Sequence, residues 1–277
     1  MTEIPRLAFN DGYTMPQLGF GIWRVPEATA AATVESALRA GYRLIDGAYL
    51  YLNEAGLGAG LRASGVPRDE VFVTTKVWNN EQGRDKARAS VERSLETIGV
   101  DQLDLVLIHW PVPDQDLYVE TWKAFIEMRD EGLMRSIGVS NFNKDHLDRI
   151  IEATGVVPAL NQIELNPELQ QPVMRDVDAA RGIVTQAWTP LGNGRSFDKA
   201  ALTAPAQRTG KSPAQVVLRW HLQLGHAVIT RSENPERQAQ YLDIFDFELT
   251  PEEMDAIVTL DVGLRTGPDP SVFKFMS

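Results

Sequence analysis

The sequence predicts an α/β protein, a (β/α)8 TIM barrel with an N-terminal β-hairpin closing the barrel bottom. Three observations predict it. Short β-branched apolar runs alternate with helix-like stretches eight times along the chain. Three successive runs end on a titratable side chain: Leu44-Ile45 on Asp46, residues 71–75 on Lys76, and residues 103–108 on His109. A parallel barrel carries its site at the strand C-termini, so this repeated ending is the trace such a fold leaves in a sequence. No composition shift divides the 277 residues, and barrels of this kind take about 250 residues as one unit, so residues 1–277 are expected to form a single domain.

Each element has a local reason. Leu7-Ala8-Phe9 and Tyr13-Thr14-Met15 flank Asn10-Asp11-Gly12, a hairpin turn, and the hairpin is expected to plug the N-terminal end of the barrel. The repeat begins at Leu18-Gly19-Phe20-Gly21, and an alanine-rich helix over 26–40 stops at Gly41. The second strand ends on Asp46 and is followed by a helix near 53–64. After the third strand, residues 85–98 are amphipathic, with Ala89, Val91, Leu95 and Ile98 facing inward. A helix near 117–131 follows the fourth strand and stops at Gly132. The fifth and sixth strands occupy 135–139 and 159–164, each with its helix, at 145–153 and 171–181. The seventh strand covers 182–188 and precedes one helical region over 200–223. The eighth covers 226–229, with a helix from Pro235 to Tyr241. Thr250-Pro251-Glu252-Glu253 is a capping box with proline at the first helical position. The Gly- and Pro-rich tail from Asp261 lacks periodicity.

Composition limits the function. Hydrophobic residues make up 43% of the chain, enough for a large core. The net charge is 27 − 38 = −11, which argues against nucleic acid or an anionic membrane as partner. The chain has no cysteine, which excludes disulfides, thiolate zinc sites and a cysteine nucleophile. No apolar run reaches the roughly 18 residues of a membrane span, and the N-terminus lacks a signal-peptide pattern, so a cytoplasmic protein is expected.

Asp46 at a strand end, with Tyr51 five residues on, sets two proton-active groups at the mouth of the sheet. Leu44 and Ile45 give the acid a low-dielectric floor. Singly, each candidate has an ordinary alternative. Asp46 could be a cap, Tyr51 a packed aromatic with Tyr49 as its rival, Lys76 a solvated charge, and His109 a satisfied core histidine.

Several separated segments together resemble the aldo-keto reductase family. They are Arg43-Leu44-Ile45-Asp46 with Tyr51-Leu52-Asn53-Glu54, Thr75-Lys76-Val77-Trp78, and Leu107-Ile108-His109-Trp110-Pro111. The likeness runs from about Leu18 to Leu260 and points to the bacterial 2,5-diketo-gluconate reductases and the prostaglandin F synthase-like reductases. It implies NADPH-dependent reduction of small aldehydes, ketones or dicarbonyls by a monomeric enzyme. It also implies a catalytic tetrad of Asp46, Tyr51, Lys76 and His109, and it selects Tyr51 over Tyr49 because Tyr51 stands before x-Asn-Glu. In that scheme Tyr51 protonates the forming alkoxide, and the Lys76 cation lowers the phenol's ordinary pKa of about 10. Asp46 keeps Lys76 charged, and His109 donates a hydrogen bond to the carbonyl oxygen.

The resemblance assigns the nicotinamide to Ser140, Asn141, Gln162 and Trp188, with Leu191 nearby. It assigns the 2′-phosphate to the segment Thr230-Arg231-Ser232 with Arg237, although Arg231 stands where lysine is usual. Trp23, Leu50, Trp78 and Trp110 would line the substrate pocket, with specificity set by residues 111–117 and the tail. Two positions depart from the family. Gly47 replaces a threonine and is expected to loosen the turn beside Asp46. Gln240-Tyr241 replaces the adenine-contacting Glu-Asn, with stacking on Tyr241 as the expected substitute. A Schiff-base aldolase using Lys76, or a non-catalytic NADPH-binding module, are the competing classes. Gly56-Leu57-Gly58-Ala59-Gly60 lies in a helical pattern and lacks the last glycine of a dinucleotide fingerprint, so it is expected to serve helix packing. His221 and His226 lack an HExxH context, and no metal is expected.

Overall fold

The computed structural model describes residues 4–275. β1 (Arg6–Ala8) and β2 (Thr14–Pro16) form the antiparallel hairpin, with Leu7 opposite Met15. Eight parallel strands then close into a barrel: β3 (Leu18–Gly21), β4 (Leu44–Asp46), β5 (Phe72–Val77), β6 (Leu103–Ile108), β7 (Met134–Ser140), β8 (Leu160–Glu164), β9 (Val184–Trp188) and β10 (Ala227–Thr230). Each pairs with the next, and β10 closes the ring by pairing with both β9 and β3. The helices on the outside are α1 (Glu27–Ala40), α2 (Glu54–Ser64), α3 (Arg84–Ile98), α4 (Tyr118–Asp130), α5 (Lys144–Thr154), α6 (Pro172–Ala180), α7 (Ala200–Thr209), α8 (Pro213–Gln223), α9 (Pro235–Leu242) and α10 (Pro251–Val258).

The hairpin plugs the barrel as expected. Phe9 and Met15 are buried in one cluster with Leu44, Leu105, Leu107, Leu160 and Ile229 from the strands. The Phe9 ring meets Phe72 edge-on at 6.2 Å. Burying a side chain of this size contributes roughly 1.5–3 kcal/mol, so the plug also fills the barrel's hydrophobic interior. A second, larger cluster lies between strands and helices and includes Val34, Leu38, Leu57, Val91, Trp122, Phe125, Leu147 and Val217.

Two sequence expectations need correction. The helical region over 200–223 is two helices. Gly210, at φ +71°, ends α7 in the left-handed region, and Ser212 caps α8, with Gln215 returning the capping-box bond and Pro213 in the first turn. In α3 the inward face carries Ala87, Ser90, Val91, Ser94, Leu95 and Ile98, whereas Ala89 is exposed. Ala89 stands two positions from Val91, about 200° around the helix, while Ala87 and Leu95 are one turn away on its own face.

The Gly56-Gly58-Gly60 series is a packing seam. A methyl group at Gly56 would meet Ala30 Cβ at 2.5 Å, and one at Gly60 would meet the Ala31 carbonyl oxygen at 2.6 Å, so both glycines let α2 lie close on α1. Gly58 faces the other neighbour, where a methyl group would lie 1.9 Å from the Ile98 carbonyl oxygen at the end of α3. Gly58→Ala is therefore expected to lower unfolding stability by about 1–3 kcal/mol or more, since backbone must move. Gly65→Ala tests the other kind of glycine: it ends α2 at φ +72° with nothing within 4 Å. A urea titration with a Gly58→Ala midpoint equal to the parent's would show that α2 and α3 separate without cost.

His221 and His226 are buried neighbours, with ring centroids 5.9 Å apart. Burial lowers the His221 pKa to about 3, outweighing its bond to the Pro190 carbonyl. Burial, then the nearness of His221, lowers that of His226 to about 2. A depressed folded-state pKa means that stability is complete above the unfolded value near 6.5 and is lost as pH falls below it, at about 1.4 kcal/mol per pH unit per group. His226→Gln should therefore flatten the fall in Tm between pH 6.5 and 5. An unchanged slope would mean that His226 titrates normally in the folded protein.

Candidate active site

Lys76, near the end of β5, is 1% exposed although it carries an ammonium group. Three oxygens hold it. Nζ donates to Asp46 Oδ2 at 2.6 Å, to the Gly47 carbonyl at 2.8 Å, and to Tyr51 Oη at 3.4 Å. Asp46 ends β4, and residues 49–51 form a 3-10 turn that swings Tyr51 back over the strand ends. Leu52 absorbs the reversal at φ +55° and is left 75% exposed at the rim. His109 follows β6 directly. Its ring lies edge-on to Tyr51 at 5.8 Å and to Trp78 at 4.9 Å. The four residues named from the sequence thus converge at the C-terminal mouth of the barrel.

The rival tyrosine points elsewhere. The Tyr49 ring lies under the Arg93 guanidinium, 4.1 Å from its centroid. Gly47 does not loosen its turn either, because its N–H donates to the Thr74 carbonyl at 2.9 Å and its own carbonyl holds Lys76.

Electrostatics follow from burial. Desolvation alone would lower the Lys76 pKa, but Asp46 and Tyr51 together outweigh it and raise it above the ordinary lysine value. For Tyr51 the balance runs against expectation. Burial raises the phenol more than the Lys76 cation lowers it, so the pKa lies above 10 and the group stands as a neutral O–H. The residue as a whole is half-buried, with its hydroxyl facing the buried ammonium. Burial, then the Lys76 charge, pushes His109 well below 6.5, so the imidazole is neutral and keeps one N–H to donate. Its side chain makes no hydrogen bond among the described residues, and its Nδ1 is buried without a partner.

A second layer ties these groups to the far side of the barrel. Gln162, on β8, donates from Nε2 to Asp46 Oδ1 at 3.0 Å and to Gln186 Oε1 at 2.6 Å. Gln186, on β9, was not singled out in the sequence, where a mid-strand glutamine carries no distinguishing mark. Ser140 Oγ donates to the Gln162 carbonyl at 2.8 Å and accepts from Asn141 Nδ2 at 3.0 Å. Asn141, at φ +62°, also donates to the His109 carbonyl and accepts from Trp188 Nε1 at 2.8 Å. The indole of Trp188, half-buried at the end of β9, is thereby fixed in orientation.

The side chains around the mouth include more than the predicted aromatics. Trp78, Trp110 and Val112 are buried together, with Tyr49, Leu50, Trp188 and Phe273 packed on them. Trp23 is 46% exposed and sits 5.0 Å from the Tyr51 ring. Phe273, from the tail, lies 4.4 Å from Trp110. Several hydrogen bonds hold the tail, among them those of the Val262 and Leu264 N–H groups to the Glu168 carbonyl and of Asn143 Nδ2 to Ser271 Oγ. The buried Glu164 carboxylate, ending β8, accepts from the Thr266 and Gly267 N–H groups at 2.8 and 2.9 Å, and Asn79 Nδ2 donates to the Phe275 carbonyl at 2.6 Å.

The predicted phosphate segment follows β10. Arg231 and Arg237 are exposed, and Arg237 has no ion pair among the described residues. Arg231 is paired with Glu233, and Ser232 Oγ is used in a turn with Asn234. Gln240 is exposed, and Leu191 is half-buried against the core. Tyr241 is only 7% exposed and packed into the core, so it offers no free face for stacking on adenine.

The aldo/keto reductase family pattern matches residues 15–262. The chain belongs to the aldo/keto reductase family. It is 51% identical over 271 residues to an aldo-keto reductase of Mycolicibacterium smegmatis, covering 98% of each chain. It is 46% identical over 275 residues to the methylglyoxal reductase DkgA of Yersinia pestis, covering 99% of each. Among solved structures, a mutant of Gox0644 in complex with NADPH superposes with a TM-score of 0.95 at 46% identity, covering 99% of this chain and all of that one.

In this family member the Asp46–Lys76 pair is buried on both sides. Lys76→Met leaves the 4%-exposed Asp46 carboxylate without its cation and is expected to lower stability by about 3–5 kcal/mol. The double variant Asp46→Asn/Lys76→Met should recover part of that loss in urea unfolding. A double variant no more stable than Lys76→Met would locate the loss in packing instead of charge.

Proposed function

We propose that this reductase uses NADPH to reduce small aldehydes, ketones or dicarbonyls to alcohols, with Tyr51 as the proton donor. The observation that carries the reading is the Lys76 ammonium, buried between Asp46 and Tyr51. The neutral phenol holds a proton at Oη. When that proton leaves toward a forming alkoxide, the ammonium 3.4 Å away stabilises the phenolate left behind. Asp46 and the Gly47 carbonyl hold Lys76 in place, and Gln162 holds Asp46. His109, neutral and without an internal partner, is free to donate to the substrate oxygen and orient it.

The residues fit a nicotinamide coenzyme. Trp188 presents a half-buried ring fixed by Asn141, and among the described residues the Gln162 Oε1 accepts nothing and the Arg237 guanidinium has no ion pair. Ser140 and Asn141 would border the ring, and Arg231, Ser232 and Arg237 would hold the phosphate. The coenzyme supplies the hydride. The raised pKa of Lys76 weighs against a Schiff-base role, which needs a neutral amine. Trp78, Trp110 and Phe273 offer an apolar wall beside His109, and the relative named for methylglyoxal supports small dicarbonyls as substrates. All four groups lie at the mouth of one closed barrel, which supports a single domain that needs no second copy to assemble them. An NADPH supply and an acidic surface support a cytoplasmic location without nucleic-acid or membrane partners.

Tyr51→Phe should reduce carbonyl reduction by about 10²–10⁴-fold while leaving NADPH binding within about twofold. Tyr49→Phe should stay close to the parent. Loss of NADPH absorbance with a methylglyoxal-type dicarbonyl measures the first, and quenching of tryptophan fluorescence measures the second. A Tyr51→Phe enzyme that retains most of its turnover would remove Tyr51 from the reaction.

A further inference from the structure

The segment assigned to the 2′-phosphate is not a basic patch. Residues 231–237 read Arg-Ser-Glu-Asn-Pro-Glu-Arg, two cations and two carboxylates with no net charge. The two acids are not equivalent. Glu233 Oε1 lies 3.3 Å from Arg231 Nη2, and its Oε2 accepts from Thr29 Oγ1 in α1 at 3.4 Å. Glu236 is exposed and makes no ion pair or side-chain hydrogen bond among the described residues. Arg231 is therefore held by an internal carboxylate while Arg237 is not.

We propose that Glu233 is a specificity-determining residue of the coenzyme site: it competes with the 2′-phosphate for Arg231 and so narrows the preference for NADPH over NADH. The proposal rests on the coenzyme reading above. The pair is 42% and 40% exposed, so it is screened by water and opens readily when a phosphate arrives. Opening does not remove the carboxylate. The Thr29 hydroxyl, which also lies 3.2 Å from the Pro26 carbonyl, is its other contact, and a carboxylate two residues from Arg231 in the same loop stays near an incoming dianion and opposes it. A ribose hydroxyl brings no charge, and a carboxylate is the group that accepts its O–H bond in NAD-specific sites, as arginine is the group that accommodates the 2′-phosphate in NADP-specific ones. One loop thus holds both recognition elements.

The test is the dissociation constant of NADPH and of NADH, measured by tryptophan fluorescence quenching in the parent and four variants. Glu233→Gln should bind NADPH about 5- to 20-fold more tightly at low salt, with a smaller gain in high salt, and NADH no more tightly. Glu236→Gln removes the same charge from the same loop without breaking a pair and should change NADPH binding less than about twofold. The Glu233→Gln gain should vanish in an Arg231→Gln background. Equal gains for both coenzymes, an equal gain in Glu236→Gln, no gain in Glu233→Gln, or a gain that survives without Arg231 would each overturn the proposal. A parent that binds NADPH with Glu233→Gln unchanged would overturn this proposal alone. A parent that binds neither nucleotide would overturn the coenzyme reading and this proposal with it.

Discussion

A lysine ammonium 1% exposed to water is the constraint on which the mouth of this barrel depends. An isolated buried cation costs far more than a folded domain can spare, so it persists only where other groups replace its hydration. Asp46 supplies the opposite charge, and Gly47 and Tyr51 supply the remaining acceptors. Each comes from β4 or the turn after it, so the pairing of β4 with β5 and the position of the ammonium enforce one another. Gln162 and Gln186 extend the constraint to β8 and β9. The site is therefore tied across the barrel, and a shift in one strand would be felt at the phenol.

The same burial explains why the phenol and the imidazole stand as neutral donors at rest. Desolvation raises Tyr51 despite its cation and lowers His109. In the proposed reaction Lys76 would act when a proton leaves: its charge costs little in the resting state, where Asp46 compensates it, and would help most when negative charge appears on Tyr51.

What could be read in the sequence was what is written locally. Asp46 ends β4, Lys76 stands one residue before the end of β5 and His109 follows β6, and a strand end is marked by the next turn or glycine. The hairpin, the capping box at Thr250 and the glycine seam of α2 are likewise short-range patterns. What escaped depends on partners distant in the chain. Gln186 matters because Gln162 reaches it across the sheet, and Phe273 because the tail returns to Trp110. Tyr241 looks like a free aromatic beside the coenzyme segment until the core closes over it. The sign of the Tyr51 shift also escaped, because the cation was visible in the motif and the degree of burial was not. Ala89 shows a smaller failure, where alanine content stood in for helical angle.

The Glu164 carboxylate, itself 0% exposed, holds the tail by its backbone N–H groups and so carries the outer wall of the pocket on an anchor separate from the Asp46–Lys76 pair. Glu164 takes the tail through the Thr266 and Gly267 N–H groups, the Thr266 hydroxyl and the Arg265 guanidinium, and none of these belongs to Phe273. Residues such as Phe273 can therefore be exchanged while the anchor and the proton-transfer groups stay as they are. The fold separates what the enzyme does to a carbonyl from which carbonyl it admits, and selection can adjust the second without reopening the first.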